Sequence, residues 1–346
     1  MSIEVLRNSL TRLTRGENLS RVEAAQLLDG LLDCEATDAQ IAAVLVALRL
    51  KGETVEELTG LAEGMRARSV RINSRHSLFI DTAGTGSSCA KTFNVSTAAA
   101  FVIAGAGLPV AKHGNRAASS RCGSADVLAA LGVNVSTPPE VSENCLNDIG
   151  ICFMFAPLYH GATARVAGIR RELGLQTTFN LLGPLTNPAS APRQIIGVSD
   201  RQFVQPMARA LALLGTERAW VVHGEDGLDE ITIAGKTFVA EACDGEVNVF
   251  EIGPEAFGIE RAALEGLARG DAEANAIIIR DVLSGGRCDK ARMLVIANAA
   301  AALHVGGVAD DLRAAAQLAE QSIDSGAAYR MLEQLVARTN EAKGQS

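Results

Sequence analysis

The sequence predicts an α/β protein with a small N-terminal helical domain, residues 1–72, and a larger domain with a mostly parallel β-sheet flanked by helices, residues 73–346. The first 72 residues show only the helical spacing of apolar side chains. From about residue 76, short strand-like runs alternate with helical runs, which is typical of a parallel sheet covered by helices. A length of 346 residues, 48% of them hydrophobic, is enough for two such domains.

Capping boxes mark the starts of three N-terminal helices. In each box a Ser or Thr is followed three residues later by Glu or Gln, so that side chains and backbone N–H groups can satisfy one another. The boxes are Ser20 with Glu23, Thr37 with Gln40, and Thr54 with Glu57. Short connections between the helices imply a small antiparallel bundle, whose leucines are expected to form a core or a subunit interface.

Eight strand-like runs follow the bundle. They are LFIDT, LPVA, VNV, ICFMF, QIIGV, AWVVHG, TFVAEA and VNVFEI, and helical runs lie between most of them. The tail from about residue 287 is predicted to be helical again. In sheets of this type, ligands bind outside the carboxyl ends of the strands.

Composition excludes several classes of protein. A net charge of −8 argues against general binding of nucleic acid. Seven cysteines without a CxxC pair predict reduced thiols and a cytoplasmic protein. The N-terminus lacks the features of a signal peptide, and no apolar run reaches the roughly 20 residues that span a bilayer. Local basic clusters in an acidic chain instead suggest a small anionic ligand.

Two polar loops within residues 81–126 follow predicted strands. The first is GTGSS at 84–88, before an alanine-rich helix, and the second is KHGNR at 112–116, after a strand near 108–111. Glycine lets the backbone approach a ligand, and helix starts attract anions. The loops therefore predict a phosphate cradle, although polar loops of an ordinary α/β domain remain the alternative. Neither loop matches GxxxxGK[ST] or a complete dinucleotide fingerprint.

Two further segments carry candidate binding side chains. FAPLYH is predicted to end a strand and to present Tyr159 and His160, and Arg170 lies on the helix predicted to follow. FNLLGPLTNP, at residues 179–188, is predicted to be a loop because it is rich in turn formers. A lone His is readily a structural group, and arginines on a helix are readily solvated.

Adjacent carboxylates form the last candidate group. Asp229 and Glu230 follow an apolar strand, and a loop, which Gly224 and Gly227 favour, would let them converge. Magnesium takes oxygen ligands and is often held by one or two carboxylates together with substrate phosphates. A solvated acidic turn is the alternative.

Taken together, these segments resemble the anthranilate phosphoribosyltransferases. This family carries Gly-Thr-Gly-Gly-Asp, Thr-Phe-Asn-x-Ser-Thr, Lys-His-Gly-Asn-Arg, Phe-Asn-x-Leu-Gly-Pro-Leu-Thr-Asn-Pro and His-Gly-x-Asp-Gly-Leu-Asp-Glu. The chain has GTGSS, TFNVST, KHGNR, FNLLGPLTNP and HGEDGLDE in the same order over residues 84–230. The resemblance implies a nucleoside phosphorylase/phosphoribosyltransferase-like fold, with a segment near 165–190 joining the helical domain, and a homodimer formed through that domain.

The implied reaction is a step of tryptophan biosynthesis. A magnesium-dependent enzyme would transfer the 5-phosphoribosyl group of phosphoribosyl pyrophosphate (PRPP) to anthranilate, giving N-(5-phosphoribosyl)anthranilate and pyrophosphate. Small molecules would be its partners, with no membrane and no nucleic acid. A related aromatic amine is a possible acceptor in place of anthranilate.

The resemblance also implies three sets of site residues. For PRPP they are Gly84, Ser87, Ser88, Thr92, Asn94, Val95, Ser96, Thr97, Lys112, His113, Gly114, Asn115, Arg116, Ser119, Ser120 and Ser124. For anthranilate they are Gly84, Asn115, His160 and Arg170, whose fork-shaped guanidinium suits a carboxylate. For Mg²⁺ they are Ser96, Asp229 and Glu230.

One departure from the family pattern is the pair Ser87 and Ser88, which stands where the family has Gly and Asp. Loss of that carboxylate removes a repulsive charge near pyrophosphate, and Lys91 adds an attractive one. Two other functions remain open. One is a pyrimidine-nucleoside phosphorylase-like enzyme, which uses phosphate and a nucleoside, and the other is a non-catalytic relative that binds nucleic acid.

Overall fold

Four helices at the N-terminus pack on one another as a bundle. The computed structural model describes residues 2–86, 90, 92–116, 122–267 and 270–341. The four helices are α1 (Ser2–Leu13), α2 (Arg21–Leu32), α3 (Asp38–Lys51) and α4 (Val55–Arg68). All three predicted capping boxes are present, with both of their reciprocal hydrogen bonds. The predicted helical N-terminal domain is confirmed.

A seven-stranded sheet forms the centre of the larger domain. Its strands are β1 (Ile80–Asp81), β2 (Val110–Gly114), β3 (Ile151–Phe155), β4 (Arg193–Gly197), β5 (Arg218–Gly224), β6 (Thr237–Cys243) and β7 (Glu246–Ile252). They are arranged in the order β3-β2-β1-β4-β5-β6-β7. The first five strands of this order pair in parallel, and only the β5–β6 and β6–β7 pairs are antiparallel. The predicted mostly parallel sheet is confirmed, and its parallel strands end at one common edge.

Helices cover both faces of this sheet. They are α5 (Val95–Gly105), α6 (Ser124–Ala130), α7 (Pro139–Ile149), α8 (Ala156–Tyr159), α9 (Ala164–Leu173), α10 (Thr178–Leu185), α11 (Val204–Leu213), α12 (Ala272–Leu283), α13 (Lys290–Val305), α14 (Leu312–Asp324) and α15 (Ala327–Glu341). None of the helices in the described ranges is long and apolar enough to cross a membrane.

Alternating side chains of β5 divide the core into two clusters. Trp220 and Val222 pack in a cluster with α5 and α13, whereas Ala219 and Val221 belong to a cluster that includes the leucines of the N-terminal bundle. Helices α9 and α10, which cover most of the segment 165–190, also contribute apolar side chains to the bundle's cluster. The division of the chain between residues 72 and 73 stays a prediction.

One strand prediction and one loop prediction were wrong. Residues 133–135 (VNV) form no strand, because Asn134 bonds to α15, where its Nδ2 donates to the Thr339 carbonyl at 3.2 Å. FNLLGPLTNP is not a loop, since most of it forms α10. Its apolar side chains are buried at helical spacing, and this tertiary packing outweighs the turn preference of Gly and Pro.

The boundaries of two predicted strand ends also differ. Strand β2 continues to Gly114, so Lys112 and His113 lie within the sheet and not in the loop after it. After β3, Tyr159 belongs to the short helix α8 and is only 1% exposed, so it packs in the core and is not presented to a ligand. The structure therefore buries side chains that the sequence pattern placed on a loop.

Candidate active site

The glycine-rich turn meets the end of β4 at the carboxyl edge of the sheet. Gly84 forms a parallel bridge with Gly197, and the backbone N–H of Thr85 donates to the Gly197 carbonyl at 2.8 Å. A Cβ atom at Gly197 would lie 1.7 Å from the carbonyl oxygen of Asp229, so only glycine fits there. The close approach brings the predicted phosphate turn and the predicted magnesium carboxylates to one place.

The start of α5 contacts one of these carboxylates directly. The backbone N–H of Ser96 donates to Oε1 of Glu230 at 3.2 Å, although the two residues are 134 positions apart. Unpaired N–H groups at a helix start favour an anion, and here a carboxylate takes that place. Asn298 fixes the adjacent backbone, because its Oδ1 accepts from the N–H of Ile231 and its Nδ2 donates to the carbonyl of the same residue, both at 2.9 Å.

Lys112 is a buried cation beneath the start of α5. Its ammonium donates to the carbonyl of Thr82 at 2.8 Å, to the hydroxyl of Thr82 at 3.1 Å, and to the hydroxyl of Ser96 at 3.3 Å. Burial lowers the pKa of Lys112, while the carboxylates of Asp81 and Glu230 act in the opposite direction. A charge in such a poorly solvated position acts strongly on nearby anions.

Asp81 is a fully buried carboxyl group behind this lysine. It accepts from Nδ2 of Asn187 at 2.7 Å and from the backbone N–H of His113 at 3.1 Å. Burial raises the pKa of Asp81 to about 6, against the effect of the Lys112 charge and of these hydrogen bonds. Asp81 therefore ties the ends of β1 and β2 to the segment that follows α10.

The other face of β2 carries buried His113, which packs against buried His160 at the end of α8. Successive side chains of a strand point to opposite faces, so His113 points away from Lys112. Nδ1 of His113 lies 3.2 Å from the Gly183 carbonyl of α10, and the ring centroids of His113 and His160 are 5.2 Å apart. Burial lowers the pKa values of His113 and His160 to about 3 and about 4. Both rings are neutral at pH 7, and their Nε2 atoms are buried without a hydrogen-bond partner among the described residues.

Arg170 approaches the same helix one turn away from Gly183. Its Nη2 donates to Oδ1 of Asn180 at 3.0 Å, and its guanidinium carbon lies 5.6 Å from the centre of the Phe179 ring. Oδ1 of Asn180 also accepts from the backbone N–H of Thr177 at 3.0 Å, which fixes the orientation of the amide. Burial lowers the pKa of Arg170, and its Nε is buried without a hydrogen-bond partner within the described ranges. The guanidinium is thus held in one orientation.

The loop after β2 is held to the start of α6. The carbonyl of Asn115 accepts from the N–H of Ala125 at 3.2 Å and from the hydroxyl of Ser124 at 3.3 Å. The exposed guanidinium of Arg116 pairs with Asp126 at 2.9 Å. A Cβ atom at Gly114 would lie 2.8 Å from the Phe153 ring, so glycine is needed where the strand enters the loop.

The oxygen donors of this site fit magnesium. Ser96, Asp229 and Glu230 offer hydroxyl and carboxylate oxygens, the ligand type that magnesium prefers. In the part of the chain that the structure describes, no group of three or more His, Cys, Asp or Glu side chains is placed to enclose a metal ion. Where a protein supplies only one or two carboxylates, substrate phosphates commonly complete the coordination of magnesium.

Some of the remaining predicted site residues are described by the structure, and others lie outside the described residues. Thr92 and Val95 are buried beside the start of α5, and the hydroxyl of Thr97 has no hydrogen-bond partner among the described residues. Ser87, Ser88, Ser119 and Ser120 lie outside the described residues, as does Lys91.

Sequence reasoning missed the residues that hold the site together. Asp81, Asn187 and Asn298 each bond to a segment far away along the chain, and Asn180 holds Arg170 of the preceding helix. The one available signal was an isolated Asn in an otherwise alanine-rich helical run, as at Asn298, since a buried amide requires partners.

Comparison with protein families defines the class of this protein. The helical bundle domain of a glycosyl transferase family matches residues 7–69, and the a/b domain of the same family matches residues 76–329. A bundle joined to an α/β domain, with polar groups gathered at the carboxyl edge of the sheet, is the arrangement of a glycosyl transferase of this family.

Individual relatives show which members of this glycosyl transferase family the chain resembles. The chain is 52% identical to an anthranilate phosphoribosyltransferase of Moorella thermoacetica, over 96% of this chain and 98% of that protein. It is 53% identical to one of Anaeromyxobacter dehalogenans, over 97% of this chain and 99% of that protein. The chain belongs to the anthranilate phosphoribosyltransferase family.

Solved structures agree with this assignment. The anthranilate phosphoribosyltransferase of Thermus thermophilus superposes with a TM-score of 0.90 at 39% identity, covering 96% of this chain and 99% of that one. The enzyme of Saccharomyces cerevisiae in complex with PRPP and Mg superposes with a TM-score of 0.88 at 28% identity, covering 97% of this chain and 98% of that one. The predicted family and fold are both confirmed.

Proposed function

We propose that this protein transfers the 5-phosphoribosyl group of PRPP to anthranilate, releasing pyrophosphate, as a step of tryptophan biosynthesis. The observation that carries the proposal is the division of side chains across β2. Lys112 faces Ser96 at the start of α5, whereas His113 faces His160 and α10, the helix that also holds Arg170. One strand therefore separates a cationic subsite from an acceptor subsite.

The cationic side suits the phosphates of PRPP. The backbone of Gly84 and Thr85, the start of α5 and the buried charge of Lys112 converge there. We assign to the same subsite Asn115, Arg116 and Ser124, together with the predicted serines at 87, 88, 119 and 120. Lys112 would act through its field and through Ser96, because its ammonium already donates to three protein oxygens.

Magnesium would be held by Ser96, Asp229 and Glu230 together with pyrophosphate oxygens. When bound, the ion neutralises negative charge that develops on the leaving group. If Glu230 binds the ion, its hydrogen bond with the N–H of Ser96 would break, and that N–H would be able to donate to a phosphate oxygen. The acidic turn, through magnesium, and the start of α5, through its N–H groups, would thus both bind the pyrophosphate.

The acceptor side suits a flat ring with a carboxylate. Arg170, held by Asn180 and Phe179, offers its guanidinium to the carboxylate in two-point contact. We assign His113 to this side and not, as the family pattern implies, to PRPP, because it lies on the face of β2 opposite Lys112. Burial keeps His113 and His160 neutral, so their Nε2 atoms can accept hydrogen bonds from an aryl amine. No strong general base is needed, because an aromatic amine is barely basic, and positioning of the two substrates supplies most of the rate.

Acceptor substitution tests this function. Pyrophosphate release from PRPP and magnesium should be fast with anthranilate and slow with aniline, which lacks the carboxylate, or with benzoate, which lacks the amine. Equal rates with aniline would contradict the role of the acceptor subsite. Phosphorolysis of thymidine without any transfer to anthranilate would favour the pyrimidine-nucleoside phosphorylase alternative.

We further propose that the protein is a cytoplasmic homodimer joined through the helical domain. The cysteines in the described ranges are free thiols, as a reducing compartment requires. Val22 and Leu50 of the bundle are 66% and 82% exposed, and burial in a subunit interface would remove these apolar side chains from water. Sedimentation equilibrium tests the dimer, and a monomer at micromolar concentration would contradict it.

A further inference from the structure

The side chain of Asn94 does not cap the helix that it begins. Asn at this position usually accepts a hydrogen bond from an N–H of the first helical turn, but the Asn94 side chain makes no such bond to α5. Its Oδ1 accepts instead from Nδ2 of Asn275 at 3.1 Å and from Sγ of Cys122 at 3.5 Å. The amide oxygen therefore faces the protein interior.

A backbone group fixes this orientation. The N–H of Gly270 donates to Oδ1 of Asn275 at 3.2 Å, and a backbone N–H can only donate. The amide of Asn275 must therefore turn its oxygen to Gly270 and its NH₂ group to Asn94. The amide of Asn94 must in turn present its oxygen to Asn275 and its NH₂ group to the opposite side.

We propose that Asn275 is a positioning residue that, through Asn94, directs two amide N–H donors at the phosphates of PRPP. The inference rests on the proposed function, since it requires PRPP at the start of α5. Asn275 lies on α12 and is 0% exposed, so it is too deeply buried to reach the substrate itself. Asn94 is 9% exposed and lies two residues before Ser96. A reversed amide would present an oxygen to the phosphates and repel them.

Replacing Asn275 by Asp tests the relay. A carboxylate cannot donate to Oδ1 of Asn94, and it would accept from Nδ2 of Asn94 and pull the donors away from the substrate. Calorimetric titration of Asn275→Asp with PRPP and magnesium should show affinity weakened roughly ten- to hundredfold, the value of a hydrogen bond to a charged group. Asn275→Ala, which removes the orienting donor without adding a competing acceptor, should show a smaller loss.

A double-mutant cycle separates the relay from a general effect on the fold. Asn94→Ala should weaken PRPP binding by itself, and in that background Asn275→Asp should cause no further loss. Asn134→Ala is a matched control, because its amide also bonds to a distant helix but not to Asn94. It should reduce thermal stability and leave PRPP affinity within about twofold.

Each outcome has a defined meaning. If the wild type binds no PRPP, the proposed function itself fails. If the wild type binds PRPP and Asn275→Asp binds it equally well, the relay is refuted. The relay is also refuted if Asn275→Asp lowers the affinity for PRPP as much in the Asn94→Ala background as in the wild type. If Asn275→Asp does not fold, Asn275→Ala carries the same cycle with the same criteria.

Discussion

Replacement of Arg170 by alanine should remove the contact that selects the carboxylate of the acceptor. The guanidinium is half-buried, its Nη2 donates to Asn180 at 3.0 Å, and it lies against the ring of Phe179. Little further ordering is needed when a carboxylate binds. A charge-assisted hydrogen bond contributes about 1.5–3 kcal/mol, so the affinity for anthranilate should fall about ten- to hundredfold.

The assay is a fluorescence titration with anthranilate beside a calorimetric titration with PRPP and magnesium. Affinity for PRPP should change little in Arg170→Ala. Arg171→Ala is a matched control, because the exposed neighbour on α9 carries the same charge. Arg170→Lys should give an intermediate loss, since an ammonium keeps the charge without the fork. Unchanged anthranilate affinity together with a collapse of PRPP affinity would show that Arg170 binds phosphate and would refute the division into two subsites.

Three further predictions concern metal, loop and pH. The double variant Asp229→Asn with Glu230→Gln should lose most of its turnover while keeping its thermal stability, and wild-type turnover after exhaustive chelation would contradict the magnesium assignment. Restoring Gly and Asp at Ser87 and Ser88 should leave turnover within about one order of magnitude, or roughly 1.4 kcal/mol in the barrier, and a far larger loss in steady-state assays would mean that the loop is built around its serines. Because burial lowers the pKa of His160 to about 4, the unfolded state binds more protons between about pH 6.5 and pH 4, so the unfolding free energy should fall as the pH falls through this range. His160→Gln should flatten that fall by about 2–3 kcal/mol between pH 7.5 and 4.5 in urea titrations, and an unchanged slope would contradict the buried neutral ring.

Local signals in the sequence predicted the architecture well. Capping boxes such as Thr37 with Gln40 involve neighbours three residues apart, so no tertiary structure is needed to interpret them. The alternation of strands and helices likewise predicted a mostly parallel sheet. Gly174 ends α9 in the left-handed conformation with φ 63°, as its place after a helical run suggests.

Predictions failed where tertiary packing decides the conformation. Turn formers in residues 179–188 predicted a loop, yet burial of Phe179 and Leu182 makes the segment a helix, and that helix positions both Arg170 and His113. The relay from Asn275 to Asn94 joins residues 181 positions apart and carries no local signal. Sequence motifs thus named groups that would face the substrates, but not the buried amides that orient them.

The most direct test of the proposed function is the stoichiometry of the reaction. Anthranilate fluorescence should decrease only when protein, PRPP and magnesium are all present, and each anthranilate consumed should yield one pyrophosphate and one N-(5-phosphoribosyl)anthranilate by mass spectrometry. Pyrophosphate released without loss of anthranilate, or anthranilate left unchanged with all components present, would contradict the proposed transfer.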